Sequence, residues 1–201
     1  MIKTKFRNFC KSNLQVLSKK INFGDKKTLC VLKKELLCLK SKNILLYCPI
    51  GIEMNIYPLI YWIKKQKNMR IFIPHIEGVS FKMIPFRMPL YKNQYGIFES
   101  KKSLFSLIKI DTAIVPVLGI DKQFKRIGFG KGMYDRFFQT LPYCPKIIFV
   151  SRKAIVSRKA ITDDYDINAD KFISNDCVIK RGINDRILVD RVYNIWFDCG
   201  G

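Results

Sequence analysis

The hydrophobic and polar positions of this 201-residue chain begin with two helical patterns. Apolar residues between Phe6 and Leu17 recur at helical spacing, which predicts a helix from about Lys3 to Lys20. Leucines between positions 29 and 39 share one face opposite lysines, which predicts a second helix from Lys26 to Leu39. The chain therefore opens with two amphipathic helices, each with one face available for packing.

Short apolar runs follow, and most of them end at proline, glycine or a polar residue. Such runs are typical of buried strands. They predict strands at Asn43 to Tyr47, Arg70 to Ile73, Phe81 to Ile84, Asp111 to Val117, Lys146 to Val150 and Phe172 to Ser174. Two further helices are predicted between them, at Ile56 to Lys65 and Met133 to Leu141. We interpret Pro74 as the end of the second strand, because proline cannot donate a ladder hydrogen bond.

Strands that alternate with helices, without clear hairpin turns, favour a largely parallel sheet covered on both faces. We therefore predict an α/β fold of three layers, Rossmann-like, with a mostly parallel sheet and helices on both faces. The chain is expected to form a single domain over residues 1 to 201, in which the part after about Asp176 is a less regular C-terminal extension. Ligands of such sheets bind at the carboxyl ends of the strands.

Composition adds a strong positive charge, with 37 Lys and Arg residues against 16 Asp and Glu residues and a formal net charge of +21. The basic residues are spread along the chain, which leaves nucleic-acid binding open as an alternative function without a dense motif to support it. No apolar run approaches the length of a membrane span. The seven cysteines are scattered and form no Cys-x-x-Cys pair, which predicts free thiols in a cytoplasmic protein.

The candidate chemistry lies in the segment from Arg126 to Arg136, which reads RIGFGKGMYDR. Alternating glycines allow backbone N–H groups to approach a phosphate group, and the predicted helix that starts at Met133 adds a favourable dipole. The segment matches neither the Walker A loop nor the dinucleotide-binding fingerprint. Alternating glycines alone are also typical of a flexible surface loop. The flanking basic residues and Asp135 favour a site for a nucleotide phosphate with its magnesium ion.

The run from Asp111 to Phe137, with AIVPVLGID before RIGFGKGMYDR, resembles the 5-formyltetrahydrofolate cyclo-ligases, also called methenyltetrahydrofolate synthetases. Ile127 and Met133 are mild departures from the family's motif. Three other stretches resemble further segments of the family and occur in the same order along the chain. They are ILLYCPIGIEMN, YGIFES and YDINADKFIS, and in YGIFES Ser100 stands where the family has a proline. The resemblance covers roughly residues 3 to 175.

The resemblance implies an ATP-dependent ligase that cyclises 5-formyltetrahydrofolate, with or without further glutamates, to 5,10-methenyltetrahydrofolate, with Mg²⁺ as the cofactor. It implies that ATP is bound by Lys3, Arg7, Arg126, Gly128, Gly130, Lys131, Gly132, Met133, Tyr134 and Arg136. It implies that the folate is bound by Cys48, Glu53, Phe129, Gly130, Lys131, Gly132, Met133 and Tyr134. The implied metal ligands are Asp135 and Asp166. A monomer is the default state.

Structural alternatives stand beside several of these roles. An acid at position 135 also favours a helix dipole, Asp166 lies in an acidic loop that solvent could surround, and Tyr134 could be a core residue. The family's usual glutamine after the Lys146 to Val150 strand is missing, so a degenerate, non-catalytic member of the family is a further alternative. For an active enzyme, Lys131→Ala or Asp135→Ala should reduce turnover strongly and leave thermal unfolding nearly unchanged.

Overall fold

The computed structural model describes residues 2–18, 23–94, 96–101, 108–182, 187–189 and 196–197. The four helices of these residues are α1 (Ile2–Ser18), α2 (Phe23–Cys38), α3 (Tyr57–Lys64) and α4 (Met133–Gln139). The first strands are β1 (Asn43–Leu45), β2 (Arg70–Glu77), β3 (Ser80–Pro85), β4 (Leu90–Lys92), β5 (Phe98–Ser100), β6 (Thr112–Pro116) and β7 (Gly119–Ile120). The later strands are β8 (Arg126–Ile127), β9 (Lys146–Val150), β10 (Val156–Ser157), β11 (Lys171–Ile173), β12 (Val178–Arg181), β13 (Ile187–Val189) and β14 (Trp196–Phe197).

The main sheet has eight strands in the order β13-β12-β11-β9-β6-β1-β2-β3. The five central strands, from β11 to β2, pair in parallel. The outer pairings, β2 with β3, β11 with β12 and β12 with β13, are antiparallel. The central strands connect through helices or long loops, as a parallel pair requires.

Each face of this sheet carries its own apolar cluster. On one face, buried residues of α2 and α3 pack on alternate residues of β1, β6 and β9. On the other face, Phe137 of α4 packs with Phe72, Val115, Phe149 and Phe172. The alternation follows from the strand period of two, which turns successive side chains to opposite faces. Helices therefore cover both faces, and the predicted α/β fold is confirmed.

A second, smaller sheet in the order β14-β10-β7-β8 supports α1. Phe6, Cys10 and Leu14, spaced by four residues, form the buried side of α1. They pack against Leu118 and Ile155, among other residues of this region. No pattern noted in the sequence predicts this sheet. Its consequence for the site is that the amino end of α1 lies beside the loop that follows β8.

The prediction that β2 ends at Pro74 and that hairpins are lacking is wrong. β2 continues to Glu77 and forms a hairpin with β3 through Gly78 and Val79, with φ +59° at Gly78. β1 pairs with β2 only as far as Phe72. Pro74 pairs with Met83 of β3 and lies just beyond the parallel pairing, which it has no N–H to extend.

The chain after Asp176 is described only in part. β12 and β13 extend the main sheet, and β14 lies at the edge of the small sheet. Residues 19 and 20 of the predicted first helix, and residues 183–186, 190–195 and 198–201 of the predicted extension, lie outside the described residues. The single domain with a less regular extension stays a prediction.

Candidate functional site

The glycine loop connects β8 to α4. Gly132 has φ +60° and occupies the N-cap position of α4, so the predicted helix start at Met133 is confirmed. Gly130 has φ +109°, a backbone conformation that residues with a side chain rarely adopt. Gly128 is needed for a different reason, because a Cβ atom there would lie 2.5 Å from a guanidinium nitrogen of Arg126. At Gly130 and Gly132 the sequence signal therefore reflects backbone geometry, and at Gly128 it reflects a close contact.

Arg126 is the buried cation at the centre of the site. Its guanidinium group donates to the Pro116 carbonyl at 3.2 Å and lies 3.4 Å from the Asp135 carboxylate. Its centre is 4.9 Å from the centroid of the Tyr134 ring, within the range of a cation–π contact. The other Asp135 oxygen accepts a hydrogen bond from the Ile167 amide at 3.2 Å. Arg126, Tyr134 and Asp135 therefore form one connected group below the loop.

The amino end of α1 reaches this group from outside. Arg7 donates from Nε to the Gly128 carbonyl at 2.9 Å. Lys3, one helical turn earlier, lies 2.5 Å from the Asp166 carboxylate and 2.8 Å from that of Asp163. Burial alone lowers the pKa of the Lys3 ammonium group, but its hydrogen bonds to the two carboxylates outweigh that effect and raise the pKa above its ordinary value.

These groups line a polar pocket, which we call the basic pocket. Its lining residues are Lys3, Arg7, Arg126, Gly128, Gly130, Lys131, Gly132, Asp135, Arg136, Tyr165 and Asp166. Eight of the ten residues predicted to bind ATP line it, all but Met133 and Tyr134, together with both predicted metal ligands. Arg136 also donates to the Val79 and Lys131 carbonyls, so it ties the loop to the β2–β3 hairpin.

A second pocket, largely apolar, adjoins the first at the start of α4. It is lined by Tyr47, Cys48, Ile50, Glu53, Pro74, Ile76, Phe81, Ile97, Phe98, Pro116, Met133 and Tyr134. Four of the residues predicted to bind folate lie here, namely Cys48, Glu53, Met133 and Tyr134. Phe129, another of them, packs instead against the apolar cluster under α1. Gly130, Lys131 and Gly132 line the basic pocket.

Glu53 is the carboxylate that lines the apolar pocket. It lies in a turn that follows β1, where its carboxylate accepts a hydrogen bond from the Ile50 amide at 3.0 Å. Burial raises the pKa of Glu53 to about 7, although the Ile50 amide and the charge of Arg126 act in the opposite direction. Arg152, from the loop after β9, donates to the carbonyl of Ile52 at 3.2 Å and so supports this turn.

Burial also raises the pKa of the Tyr134 hydroxyl, and the Glu53 charge adds to that effect. Tyr134 is therefore a neutral hydroxyl group at working pH. Its ring stacks edge-on against Phe81, with ring centroids 5.0 Å apart. Tyr134 thus packs against the core and also lines the apolar pocket, and its role in binding a ligand stays a prediction.

Two acidic residues of the basic pocket are suited to a divalent cation. The described residues contain no group of three or more His, Cys, Asp or Glu side chains that could enclose a metal ion. Asp135 and Asp166 are nevertheless both buried and line the same pocket. Magnesium is commonly held by one or two carboxylates together with substrate phosphates, so this donor set fits such an ion.

Sequence reasoning missed several residues of the site. Ile97 and Phe98 form a wall of the apolar pocket, and Glu99 beside them accepts hydrogen bonds from Ile76 and Asn93 that fix this wall. The stretch YGIFES contains three of these residues, so the family resemblance carried a signal for them.

Among the described residues, the six cysteines are free, as predicted, and no helix is long and apolar enough to span a membrane.

Comparison with known sequences agrees with the resemblance. The model of the 5-formyltetrahydrofolate cyclo-ligase family matches residues 2–159. The chain is 30% identical over 108 residues to the 5-formyltetrahydrofolate cyclo-ligase of Haemophilus influenzae, in an alignment that covers 50% of this chain and 57% of that relative. It is 25% identical over 135 residues to the enzyme of the same name from Mycoplasma pneumoniae, covering 67% and 74%. The chain thus spans little more than half the length of the Haemophilus relative.

Comparison with solved structures extends the likeness over most of the chain. The NMR structure of 5,10-methenyltetrahydrofolate synthetase from Aquifex aeolicus aligns with a TM-score of 0.74 and 25% identity, covering 89% of this chain and 92% of that one. The synthetase structure from Mycoplasma pneumoniae aligns with a TM-score of 0.65 and 22% identity, covering 87% and 99%. The second likeness concerns the fold alone.

Proposed function

This chain belongs to the 5-formyltetrahydrofolate cyclo-ligase family, and from that membership we propose that it is an ATP-dependent ligase that converts 5-formyltetrahydrofolate into 5,10-methenyltetrahydrofolate, ADP and phosphate. One observation carries the proposal: the basic pocket and the apolar pocket adjoin each other at the first turn of α4. Gly132 and Asp135 line the basic pocket, whereas Met133 and Tyr134 line the apolar one. A triphosphate and a flat heterocycle bound there would place their reacting groups side by side.

The proposed reaction needs alignment and charge neutralisation more than a protein nucleophile. The formyl oxygen attacks the γ-phosphorus of ATP, and ADP leaves. The folate N10 nitrogen then attacks the activated formyl carbon and loses its proton. This attack closes the five-membered ring, and phosphate then departs with the former formyl oxygen to leave the methenyl carbon.

We assign the triphosphate to the basic pocket. Arg7 and Arg126 both lie against Gly128 in the lining of this pocket. Lys131 is an exposed residue of the glycine loop. The left-handed backbone at Gly130 and Gly132 fits a loop whose N–H groups approach an anion. Guanidinium groups and backbone amides are suited to phosphoryl transfer because they stabilise charge that shifts between oxygens.

We assign the pterin ring of the folate to the apolar pocket. Tyr47, Phe98 and Tyr134 supply aromatic surface there, and Glu53 is a polar group that can hydrogen-bond a pterin. Cys48 is buried in the wall, where burial raises the pKa of its thiol to about 12. Cys48 therefore acts as an apolar wall residue and not as a nucleophile.

Asp135 and Asp166 would hold Mg²⁺ together with the phosphates. When bound, the ion neutralises charge on the phosphate oxygens and favours transfer. Both carboxylates already lie beside a protein cation, Asp135 beside Arg126 and Asp166 beside Lys3. We propose that the chain acts in the cytoplasm, which the free cysteines among the described residues suit, and that it acts as a monomer. The family match does not favour the nucleic-acid alternative.

The test is the absorbance of 5,10-methenyltetrahydrofolate in a mixture of protein, 5-formyltetrahydrofolate, ATP and Mg²⁺. We expect a rise that requires both ATP and Mg²⁺ and that Lys131→Ala reduces by roughly a hundredfold. Lys122→Ala is the matched control, since Lys122 is exposed and lines neither pocket. Folded protein that binds both substrates without any rise would contradict the proposed activity and favour a non-catalytic member of the family.

A further inference from the structure

Asp121 is a fully buried residue in the turn between β7 and β8, outside both pockets. One oxygen of its carboxylate accepts from the amides of Gln123 at 2.9 Å and Lys125 at 3.2 Å. The other accepts from the amides of Ile161 at 3.1 Å and Thr162 at 3.2 Å, and from the Thr162 hydroxyl. A single side chain thus joins the β7–β8 turn to a segment forty residues later.

That later segment, residues 161–168, runs along the basic pocket. Lys125 donates from its ammonium group to the Asp163 carbonyl at 3.0 Å. Arg126 donates its amide to the Ile167 carbonyl at 3.0 Å, and the Ile167 amide donates to Asp135 at 3.2 Å. The segment is therefore fixed at both ends, by Asp121 at its start and by the residues around Asp135 near its end.

The tip of the segment carries Asp166 into the pocket. The Asp163 amide donates to the Asp166 carboxylate at 2.7 Å, and the Asp166 amide donates to the Asp163 carbonyl at 3.1 Å. This closed turn begins at the residue directly after Thr162. The direction in which Asp166 points therefore depends on how Thr162 is anchored, and Thr162 is anchored to Asp121 by two hydrogen bonds.

We infer that Asp121 is a positioning residue of the basic pocket, which anchors residues 161–168 to the β7–β8 turn and so holds Asp166 in the pocket that Asp135 also lines. The inference rests on the proposed ATP site in that pocket. Asp121 itself is buried away from the ligands and acts only through its five hydrogen bonds.

A carboxylate is the side chain that this arrangement requires. It accepts on both oxygens and donates on neither, so it can satisfy two groups of N–H donors at once. Asparagine of the same shape has one acceptor oxygen, and its amide nitrogen would face N–H groups on one side. Asp121→Asn should therefore release either the β7–β8 turn or residues 161–162 while leaving the volume unchanged.

The experiment compares Asp121→Asn, Thr162→Val and Thr162→Ser with the unchanged chain. Thr162→Val removes one of the five donors at nearly constant volume, and Thr162→Ser restores the hydroxyl as the matched control. Amide hydrogen exchange over residues 158–168 reports the anchoring, and separate titrations give the Kd of ATP with Mg²⁺ and the Kd of 5-formyltetrahydrofolate.

We expect Asp121→Asn and Thr162→Val to speed exchange of the 161–167 amides by about tenfold or more, with little change in β6 and β9. We expect the Kd of ATP to rise by roughly tenfold and that of the folate to change by less than about threefold. Thr162→Ser should behave like the unchanged chain. This difference between the two Kd values separates a positioning role from a general loss of stability, which would weaken the binding of both ligands.

Unchanged exchange over residues 161–167 would overturn the inference, and so would faster exchange with an unchanged Kd of ATP. An equal loss of affinity for both ligands would also overturn it. If Asp121→Asn does not fold, Thr162→Val decides on the same criteria. If the unchanged chain shows no turnover, the proposed function fails, while exchange and the Kd of ATP still test the role of Asp121.

Discussion

The ammonium group of Lys3 lies 2.5 Å from the carboxylate of Asp166, and the two residues are 163 positions apart in the sequence. The contact joins the first turn of α1 to the acidic segment on the far side of the basic pocket. In the proposed enzyme each of the two residues also binds the nucleotide: Lys3 contacts a phosphate and Asp166 holds Mg²⁺. Substrate binding would then exchange one ion pair for two new contacts with ATP and its metal.

Replacement of Lys3 by glutamine should raise the Kd of ATP by about tenfold, because a charge-assisted contact to phosphate is lost. Lys5→Gln is the matched control, since Lys5 is exposed on the same helix and lines neither pocket. Calorimetric titration with ATP and Mg²⁺ measures both variants. Equal affinities for Lys3→Gln and Lys5→Gln would show that Lys3 takes no part in binding the nucleotide.

Gly128→Ala should weaken ATP binding by displacing Arg126, since the new Cβ would lie 2.5 Å from the guanidinium group. Arg126 is buried and has little room to yield, so we also expect a loss of stability of about 1 to 3 kcal/mol from overpacking. A double-mutant cycle with Arg126→Ala tests the mechanism. If the effect of Gly128→Ala on ATP affinity persists in the Arg126→Ala background, the steric explanation is wrong.

The Asp135→Ala and Lys131→Ala variants should both lose turnover, but they should differ in their free energy of unfolding. Asp135 is buried beside Arg126, so Asp135→Ala leaves a buried cation and should cost roughly 3 kcal/mol of unfolding free energy. This revises the expectation from the sequence that thermal unfolding would not change. Lys131 is exposed, and Lys131→Ala should change stability by less than about 0.5 kcal/mol.

Asp135→Asn is the informative companion variant, because its amide oxygen can still accept from the Ile167 amide. We expect it to be more stable than Asp135→Ala and equally poor in turnover. Urea unfolding and the absorbance assay measure the two properties on the same preparations. An Asp135→Asn variant with full turnover would remove Asp135 from the proposed metal site.

The parts of the fold that could be predicted are those with a local signal. The bounds of β9 and the start of α4 agree with the sequence pattern, because a run of four apolar residues after Lys146 and a glycine before a helix are both local features. The small sheet could not be predicted, since β7, β8 and β10 are two residues long and show no periodicity. The pairings of β10 with β7 and with β14 join segments far apart in sequence.

The site divides in the same way. The alternating glycines indicated the loop from local sequence alone. The family resemblance added Lys3 and Arg7 to the predicted site, and the structure places both in the same pocket as the loop. Asp121 ends the stretch AIVPVLGID, but the sequence did not indicate its role, because its partners Ile161 and Thr162 lie forty residues later. Arg152 likewise could not be placed from the sequence, and the structure shows it bonded to the carbonyl of Ile52.

Glu53 should make the stability of the protein depend on pH between about 4.5 and 7. Its pKa is raised from 4.5 to about 7 in the folded chain, so the folded state holds a proton that the unfolded state releases. This contribution is fully present below pH 4.5, falls as the pH rises through that interval, and is lost above about pH 7. The loss should amount to about 1 to 3 kcal/mol, the lower part of that range allowing for solvent screening.

Urea unfolding at pH 5 and pH 8 should show the loss in the unchanged chain and in the exposed control Asp164→Asn, but not in Glu53→Gln. If Glu53→Gln loses as much stability between the two pH values as the unchanged chain, then the proton that titrates in this interval does not belong to Glu53.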